Sequence, residues 1–371
     1  MKYIQSICED LLKPVKIVEG IVEKRQTLPI LSNVLIEQDN ETVKFSTTDL
    51  DIQISTQAPV GLAGKQSRFT VNAGKLSSIL GALGNKSTVE FDIEDGHLII
   101  RSASSQYTLQ TLPADDYPVL KEGQWESSLT LPARTLRYLL TMTAFAMASQ
   151  DVRYYLNGVL FVIEDRTVRT VATDTHRLAC CNIDLDETAE NPIQAIIPRK
   201  TVRELIRLLP DDDTPVQVRF TDTQVCFTYD NVTFMSKLVE GKFPDYKRVL
   251  PNEDSNPHQV MIDREGLANA LRRASIMTNE KFHGVRWLLA NNQLEIQSTN
   301  AEHEDALERM DIAWTYEELD MGFNITYLLE VLNLLKNKEV SFNFSSASGS
   351  VLITMPENEE RFNYVVMPMR I

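Results

Sequence analysis

The amino-acid sequence predicts an α+β fold made of three copies of one module. Three observations lead there. One pattern recurs at a constant spacing of 126 residues, at Phe69–Leu83, Ala195–Leu209 and Met321–Leu335. In each copy a short apolar stretch runs into an amphipathic helix. Val71, Ile197 and Phe323 correspond, as do Leu76, Val202 and Leu328, then Leu80, Ile206 and Leu332, then Leu83, Leu209 and Leu335. Elsewhere the pattern has period two: Val43, Phe45 and Thr47 alternate with Lys44, Ser46 and Thr48, and Val216, Val218 and Phe220 with Gln217 and Arg219. Such alternation marks half-buried strands. Lastly, an earlier helix recurs at 8–20, 132–148 and 263–277. Its third copy places Leu267, Ala270, Leu271 and Ala274 at the i, i+3, i+4, i+7 spacing of a buried face.

A further stretch repeats in step. Asn33-Val34-Leu35 leads to Thr48-Asp49, Asn157-Gly158-Val159-Leu160 to Thr173-Asp174, and Gly284-Val285-Arg286-Trp287 to Ser298-Thr299-Asn300. Polar junctions at 121–128 and 251–259 separate the copies, so the expected domains are 1–125, 126–253 and 254–371. The repeat is too long for a solenoid unit. It describes a string of whole domains, an arrangement typical of scaffolds and binding platforms.

Composition narrows the class. With 43% hydrophobic and 24% charged residues, the 371-residue chain reads as globular and soluble. Its start, with Glu9 and Asp10, does not read as a signal peptide, and its most apolar stretch, 138–148, is too short to span a bilayer. Cys8, Cys180, Cys181 and Cys226 have neither the number nor the spacing of a disulfide framework or a metal site. The expectation is a reduced, cytoplasmic protein without metal or cofactor.

The net charge of −15 argues at first against nucleic acid. Its distribution argues the other way, because five of the six proposed helices are net positive. In the helix at 198–209, Arg199, Arg203 and Arg207 fall at i, i+4, i+8 and Lys200 extends the stripe, while Val202, Leu205, Ile206 and Leu209 face the other way. This predicts a basic helical surface in an acidic shell, holding phosphates weakly and without base readout. Two readings compete. Asp174, His176 and Cys180 invite a nucleophile and base, although no phosphate-cradling glycine loop occurs and His97, His258, His283 and His303 are scattered. A three-domain adaptor that never touches DNA is the other.

From Leu12-Lys13-Pro14 to its last residue the chain resembles the bacterial DNA sliding clamp family, the beta subunit of the replicative DNA polymerase. The resemblance is carried by Thr27–Leu31 (TLPIL), Gln150–Gly158 (QDVRYYLNG), Val171–Ala179 (VATDTHRLA), Lys237–Pro251 (KLVEGKFPDYKRVLP), Asn279–Phe282 (NEKF) and Tyr364–Ile371 (YVVMPMRI). It implies a non-catalytic processivity factor. Three clamp domains, each with two helices backed by antiparallel sheets, would form half of a ring, and two chains would close it head to tail around duplex DNA.

By matching positions, the resemblance implies DNA contacts at Arg25, Gln150, Arg153, Tyr154, Tyr155, Arg199 and Lys200, to which the stripe adds Arg203 and Arg207. A cleft between the second and third domains would bind a short peptide carried by DNA polymerases, the clamp loader and other partners. Its implied residues are Leu156, Thr173, His176, Arg177, Leu178, Pro244, Arg248, Val249, Phe282, Asn324, Tyr327, Ser350, Val366, Met367, Pro368, Met369 and Arg370. Methionine and leucine would supply an adaptable apolar surface, and Arg and Asn would orient the peptide's polar groups. The implied seam between chains pairs Tyr107 and Leu109 with Ile276, Met277, Glu302, Glu304 and Glu308. The chain departs from the family at Thr175, where Gly is common, at Ser348, where Val is common, and at Ser104 and Gln106, where relatives carry arginines.

Overall fold

The structure, a computed structural model, describes residues 2–23, 28–185, 192–250, 255–279, 281–356 and 361–370. Along these the chain repeats one order of elements, a strand, a helix and three strands. It begins with β1 (Lys2–Ile7), α1 (Cys8–Glu19), β2 (Asn33–Asp39), β3 (Thr42–Thr48) and β4 (Ile52–Ala58). The order recurs in β5 (Gln66–Asn72), α2 (Ala73–Ala82), β6 (Thr88–Glu94), β7 (His97–Ser102) and β8 (Ser105–Leu112). The second sequence repeat supplies β9 (Ser127–Pro132), α3 (Ala133–Ala144), β10 (Gly158–Glu164), β11 (Thr167–Thr173) and β12 (Arg177–Asp184). Next come β13 (Ile193–Pro198), α4 (Arg199–Leu208), β14 (Pro215–Phe220), β15 (Gln224–Tyr229) and β16 (Val232–Lys237). The third supplies β17 (His258–Asp263), α5 (Arg264–Ala274), β18 (Gly284–Ala290), β19 (Gln293–Thr299) and β20 (Asp305–Asp311). Last are β21 (Leu319–Asn324), α6 (Ile325–Leu334), β22 (Glu339–Phe344), β23 (Val351–Thr354) and β24 (Phe362–Val366). Each 126-residue repeat is therefore itself a pair of similar halves.

Local sequence explains the meanders. Tight hairpins favour a first loop residue with positive φ, a conformation Asn, Asp and Gly tolerate best. Asn40 (φ 56°), Asp95 (47°), Asp165 (52°), Asp230 (45°) and Asn291 (52°) open the turns β2–β3, β6–β7, β10–β11, β15–β16 and β18–β19. Gly96 (φ 75°) completes the Asp-Gly turn.

Sheet order follows one rule in all three repeats. The neighbours run β5-β2-β3-β4, β13-β10-β11-β12 and β21-β18-β19-β20, so the fourth strand returns beside the first in Greek-key order. The complementary sheets run β1-β6-β7-β8, β9-β14-β15-β16 and β17-β22-β23-β24. Each half thus lends its first strand to the other half's meander.

The molecule has two compact units, 1–137 with 200–239, and 138–199 with 240–371. The first contains a twelve-stranded sheet in which β4 pairs antiparallel with β16, Ile52 opposite Ser236 and Thr56 opposite Val232. In the second, β12 pairs with β24, Arg177 opposite Val366 and Cys181 opposite Phe362, giving an eight-stranded sheet beside the four-stranded β20-β19-β18-β21. Large side chains fill the interior, among them Phe45, Phe91, Phe161, Phe227, Trp287, Phe323 and Phe342. The face expected for α5 is the buried one: Leu267, Ala270, Leu271 and Ala274. Among the described residues no helix is long and apolar enough to cross a membrane.

Candidate functional site

The repeated Thr-Asp and Thr-Asn segments prove to be one corner used three times. Asp49 Oδ1 accepts from the amides of Asp51 (3.0 Å) and Ile52 (2.8 Å). Asp174 Oδ1 accepts from His176 (3.0 Å) and Arg177 (3.1 Å), and Asn300 Oδ1 from Glu302 (3.1 Å) and Glu304 (2.9 Å). A short side-chain acceptor closing a turn on amides just downstream explains why Asp and Asn recur there. Thr48 and Thr173 brace the first two corners by donating to the Ile52 and Arg177 carbonyls, at 2.7 and 2.6 Å. Their tightness forces Leu50 (φ 79°) and Thr175 (φ 77°) into the left-handed region. Gly occupies that region without a Cβ clash, which accounts for Thr175 being a departure.

In the second unit this corner builds a cluster around Arg177. Its guanidinium is buried, donating to Asp174 Oδ2 (3.1 Å), to the Phe145 carbonyl (2.7 Å) and to Glu330 of α6. It lies 4.3 Å from the centre of the Tyr327 ring, and the Tyr364 hydroxyl donates to the Tyr327 carbonyl at 3.1 Å. Burial disfavours the Arg177 charge, yet Tyr364, Glu330 and Asp174 together raise its pKa. Arg177, expected to help orient a peptide, is buried and ties β12 to α6. It holds Tyr327 under the exposed His176, whose ring stacks at 6.5 Å.

The C-terminal segment closes one side. After β24 the Met367 amide donates to the His176 carbonyl (2.9 Å) and the Met369 amide to the Gly322 carbonyl of β21 (2.8 Å). Met367 is exposed, and Pro368 and Met369 are half-buried. Leu156, Thr173, Leu178 and Val366 are buried. Asn324 caps α6 by accepting from Thr326 (2.9 Å), and Phe282 stands 57% exposed beside that helix start, where Ile325 donates to the His283 carbonyl. Pro244, Arg248 and Val249 lie on a segment anchored separately by buried Tyr246, whose hydroxyl accepts from Arg169 at 3.1 Å. Arg248 is exposed and paired with Asp245. Arg370 is exposed, Ser350 half-buried and Ser348 exposed.

The cations expected to meet DNA are differently placed. Arg25 lies outside the described residues. In the second unit Gln150 (φ 57°) turns a loop in which Arg153 pairs with Asp151 at 2.8 Å. That hydrogen bond holds the Asp151 carboxyl down at about 2. Tyr154 is exposed and Tyr155 half-buried. Arg199 is tied down by the Met147 and Ala148 carbonyls, at 2.7 and 3.0 Å. The stripe is therefore shorter than its spacing predicts. In the first unit Lys200 Nζ sits between Glu23 (2.7 Å) and Asp49 (2.6 Å), Arg207 pairs with Glu204, and Arg203 is exposed. Burial alone would lower the Lys200 pKa, but its bonds to Asp49 and Glu23 raise it.

At the expected seam, Tyr107 and Leu109 are half-buried on β8. Ile276 is 73% exposed and Met277 half-buried on the turn after α5, and Glu302 and Glu304 are exposed. Glu308 pairs with Arg273. The nucleophile reading fails on burial. Cys180 is buried, and burial pushes its thiol up to about 12, the opposite of what a nucleophile requires.

The DNA polymerase III beta subunit family matches nearly the whole chain, its N-terminal domain at residues 4–121, its central domain at 130–245 and its C-terminal domain at 247–370. The beta sliding clamp of Pseudomonas aeruginosa is 40% identical over 363 residues, covering 98% of each chain, and that of Escherichia coli is 39% identical over the same length and share. The chain belongs to the beta sliding clamp family. The fold agrees: a crystal structure of the Pseudomonas aeruginosa clamp superposes with a TM-score of 0.95 at 39% identity over all of both chains. Another structure of that clamp, bound to griselimycin, gives 0.95 at 40% identity. As a clamp subunit the chain is a non-catalytic component of a DNA polymerase.

Proposed function

We propose that two copies of this chain close head to tail into a ring around duplex DNA, slide on it without sequence preference, and tether polymerases and the clamp loader in the cytoplasm. The observation that carries the reading is a pair of strand edges. The repeats meet as β4 against β16 and as β12 against β24. The same rule calls for β20 against β8. Within the described residues of one chain, β20 pairs only with β19, and β8 is open on one side along Ser105–Gln110. Open edges of this kind are templates for another chain. Carrying over the register of the two joints sets Tyr107 opposite Ala306 and Ser105 opposite Glu308, with Ile276 and Met277 covering the join. Three domains, 1–125, 126–253 and 254–371, fit half-repeats that start at Ser127 and His258.

Gln150, Arg153, Tyr154, Tyr155, Arg203 and Arg207 would touch phosphates, Lys200 would lie on the same surface held by its carboxylates, and the family resemblance adds Arg25. The partner peptide would lie over Tyr327 and His176, flanked by Met367, Pro368 and Met369, with Phe282, Pro244, Val249 and the exposed Arg248 and Arg370 around it. Griselimycin on a close relative supports a ligand-accepting surface in this family. The test is topological. Once loaded, the protein should stay on circular duplex through a high-salt wash and leave after the circle is cut. Equal loss from both forms would sink the ring.

A further inference from the structure

Lys200 is the second residue of α4, on the helix read above as facing DNA, and the inference rests on that reading. Its side chain is 36% exposed, but its ammonium is already held by two carboxylates. Glu23 Oε1 lies 2.7 Å away and Asp49 Oδ2 2.6 Å away, so one positive charge is enclosed by two negative ones. The two carboxylates differ. Asp49 is nearly buried and immobilised, since its other oxygen already closes the corner on the Asp51 and Ile52 amides. Glu23 is exposed and able to swing away. Arg203, one turn further along α4, is exposed and has no ion pair among the described residues.

We propose that Glu23 and Asp49 limit the grip on DNA by holding Lys200 in a cluster of net negative charge. A phosphate approaching Lys200 must displace Glu23 and still face Asp49. Lys200 therefore neutralises no phosphate, and the hold on duplex falls to neighbours such as Arg203. Weak, delocalised attraction suits a protein that must move along the backbone: sequence-independent electrostatic attraction lets a protein slide, whereas a phosphate held in a close ion pair must be let go before the next is reached. The corner that carries Asp49 is thus a functional element of the DNA-facing surface as well as a turn.

The test is the salt dependence of binding to a linear duplex, measured with the full-length chain. Lys200→Ala alone should leave the slope of log affinity against log salt unchanged. Glu23→Gln with Asp49→Asn, which keeps the corner's acceptor oxygen, should tighten binding about threefold or more at low salt and steepen the slope by about 0.9, one phosphate's worth. Adding Lys200→Ala to that pair should return the slope to its original value, which a general loss of negative charge would not do. Glu23→Gln alone, at an exposed position, should give a smaller shift of the same sign and guards against misfolding of the double variant. Arg203→Ala separates the two readings. If it flattens the slope while the carboxylate variants change nothing, the surface meets DNA but the grip-limiting role is wrong. If none of these variants moves binding, both fall.

Discussion

At the scale of the residue, position decides what a side chain can do more than its type does. Asp49, Asp174 and Asn300 close the same turn with one oxygen, and the remaining atom sets the role: on Lys200, on Arg177, or on Glu304 through Asn300 Nδ2 at 2.7 Å. The second corner carries a cost. Thr175 is β-branched at φ 77°, where a Cβ crowds the backbone. Such positions cost on the order of 1 kcal/mol or more. Thr175→Gly should therefore raise stability by about 1 kcal/mol, less what the freer unfolded chain takes back. A melting curve checks it. The amide bond from residue 175 to Thr173 Oγ1 survives the change, so a lower melting temperature would mean that the threonine side chain has a compensating contact.

At the scale of the element, the C-terminal segment is the sharpest case. It leaves β24 at Val366 and is tied down by two amides, that of Met367 to the His176 carbonyl and that of Met369 to the Gly322 carbonyl of β21. Deleting 367–371 removes both bonds, each worth about 1 kcal/mol at most when solvent can replace it. A small drop in melting temperature should follow. Affinity for a polymerase-derived peptide should fall tenfold or more, about 1.4 kcal/mol, because the exposed thioether surface goes with it. Met367→Ala should give a smaller loss with no change in melting. Peptide titration beside a thermal scan separates these, and unchanged affinity in the truncated chain removes the segment from the cleft. The strand end itself was legible, since Pro368 lacks a donor. So were the helices and the 126-residue period, because apolar spacing encodes them directly. The halving of each repeat was not: β1 and β5, or α1 and α2, share a place in the topology without sharing residues. Nor did the Arg stripe reveal that Arg199 ends on carbonyls, since spacing states which residues share a face and not what lies opposite them. Arg177 was missed as a buried tie for the same reason, its partner Glu330 being distant in sequence.

At the scale of the whole molecule, ring closure would depend on two edges that the described residues of one chain leave open. In the proposed head-to-tail dimer of about 84 kDa, twice the 42.1 kDa chain, each seam would join β8 of one copy to β20 of the other. Any substitution in β8 and any in β20 of a single sequence therefore meet twice. The register inherited from β4–β16 and β12–β24 sets Tyr107 against Ala306, both half-buried on their own edges. Tyr107→Asp should remove the largest apolar group from this join and enclose a carboxylate near Glu304 and Glu308. An unpaired charge so enclosed costs several kcal/mol, and the variant should sediment as a folded monomer. Ala306→Lys in the same chain places an ammonium directly across from that carboxylate at both seams. Opposite charges facing one another across a strand pair recover about 0.2–1 kcal/mol, while misaligned ones recover less. The double variant should regain part of the dimer at high concentration and lose it as salt is raised. Arg309 sits three residues further along the strand and already carries a cation, paired with Glu295; it should give no such rescue, so the charge swap reads register and not net charge. A Tyr107→Asp chain that remains dimeric would place the seam elsewhere. A rescue by Leu307→Lys equal to that by Ala306→Lys would keep the seam and shift its register by one residue.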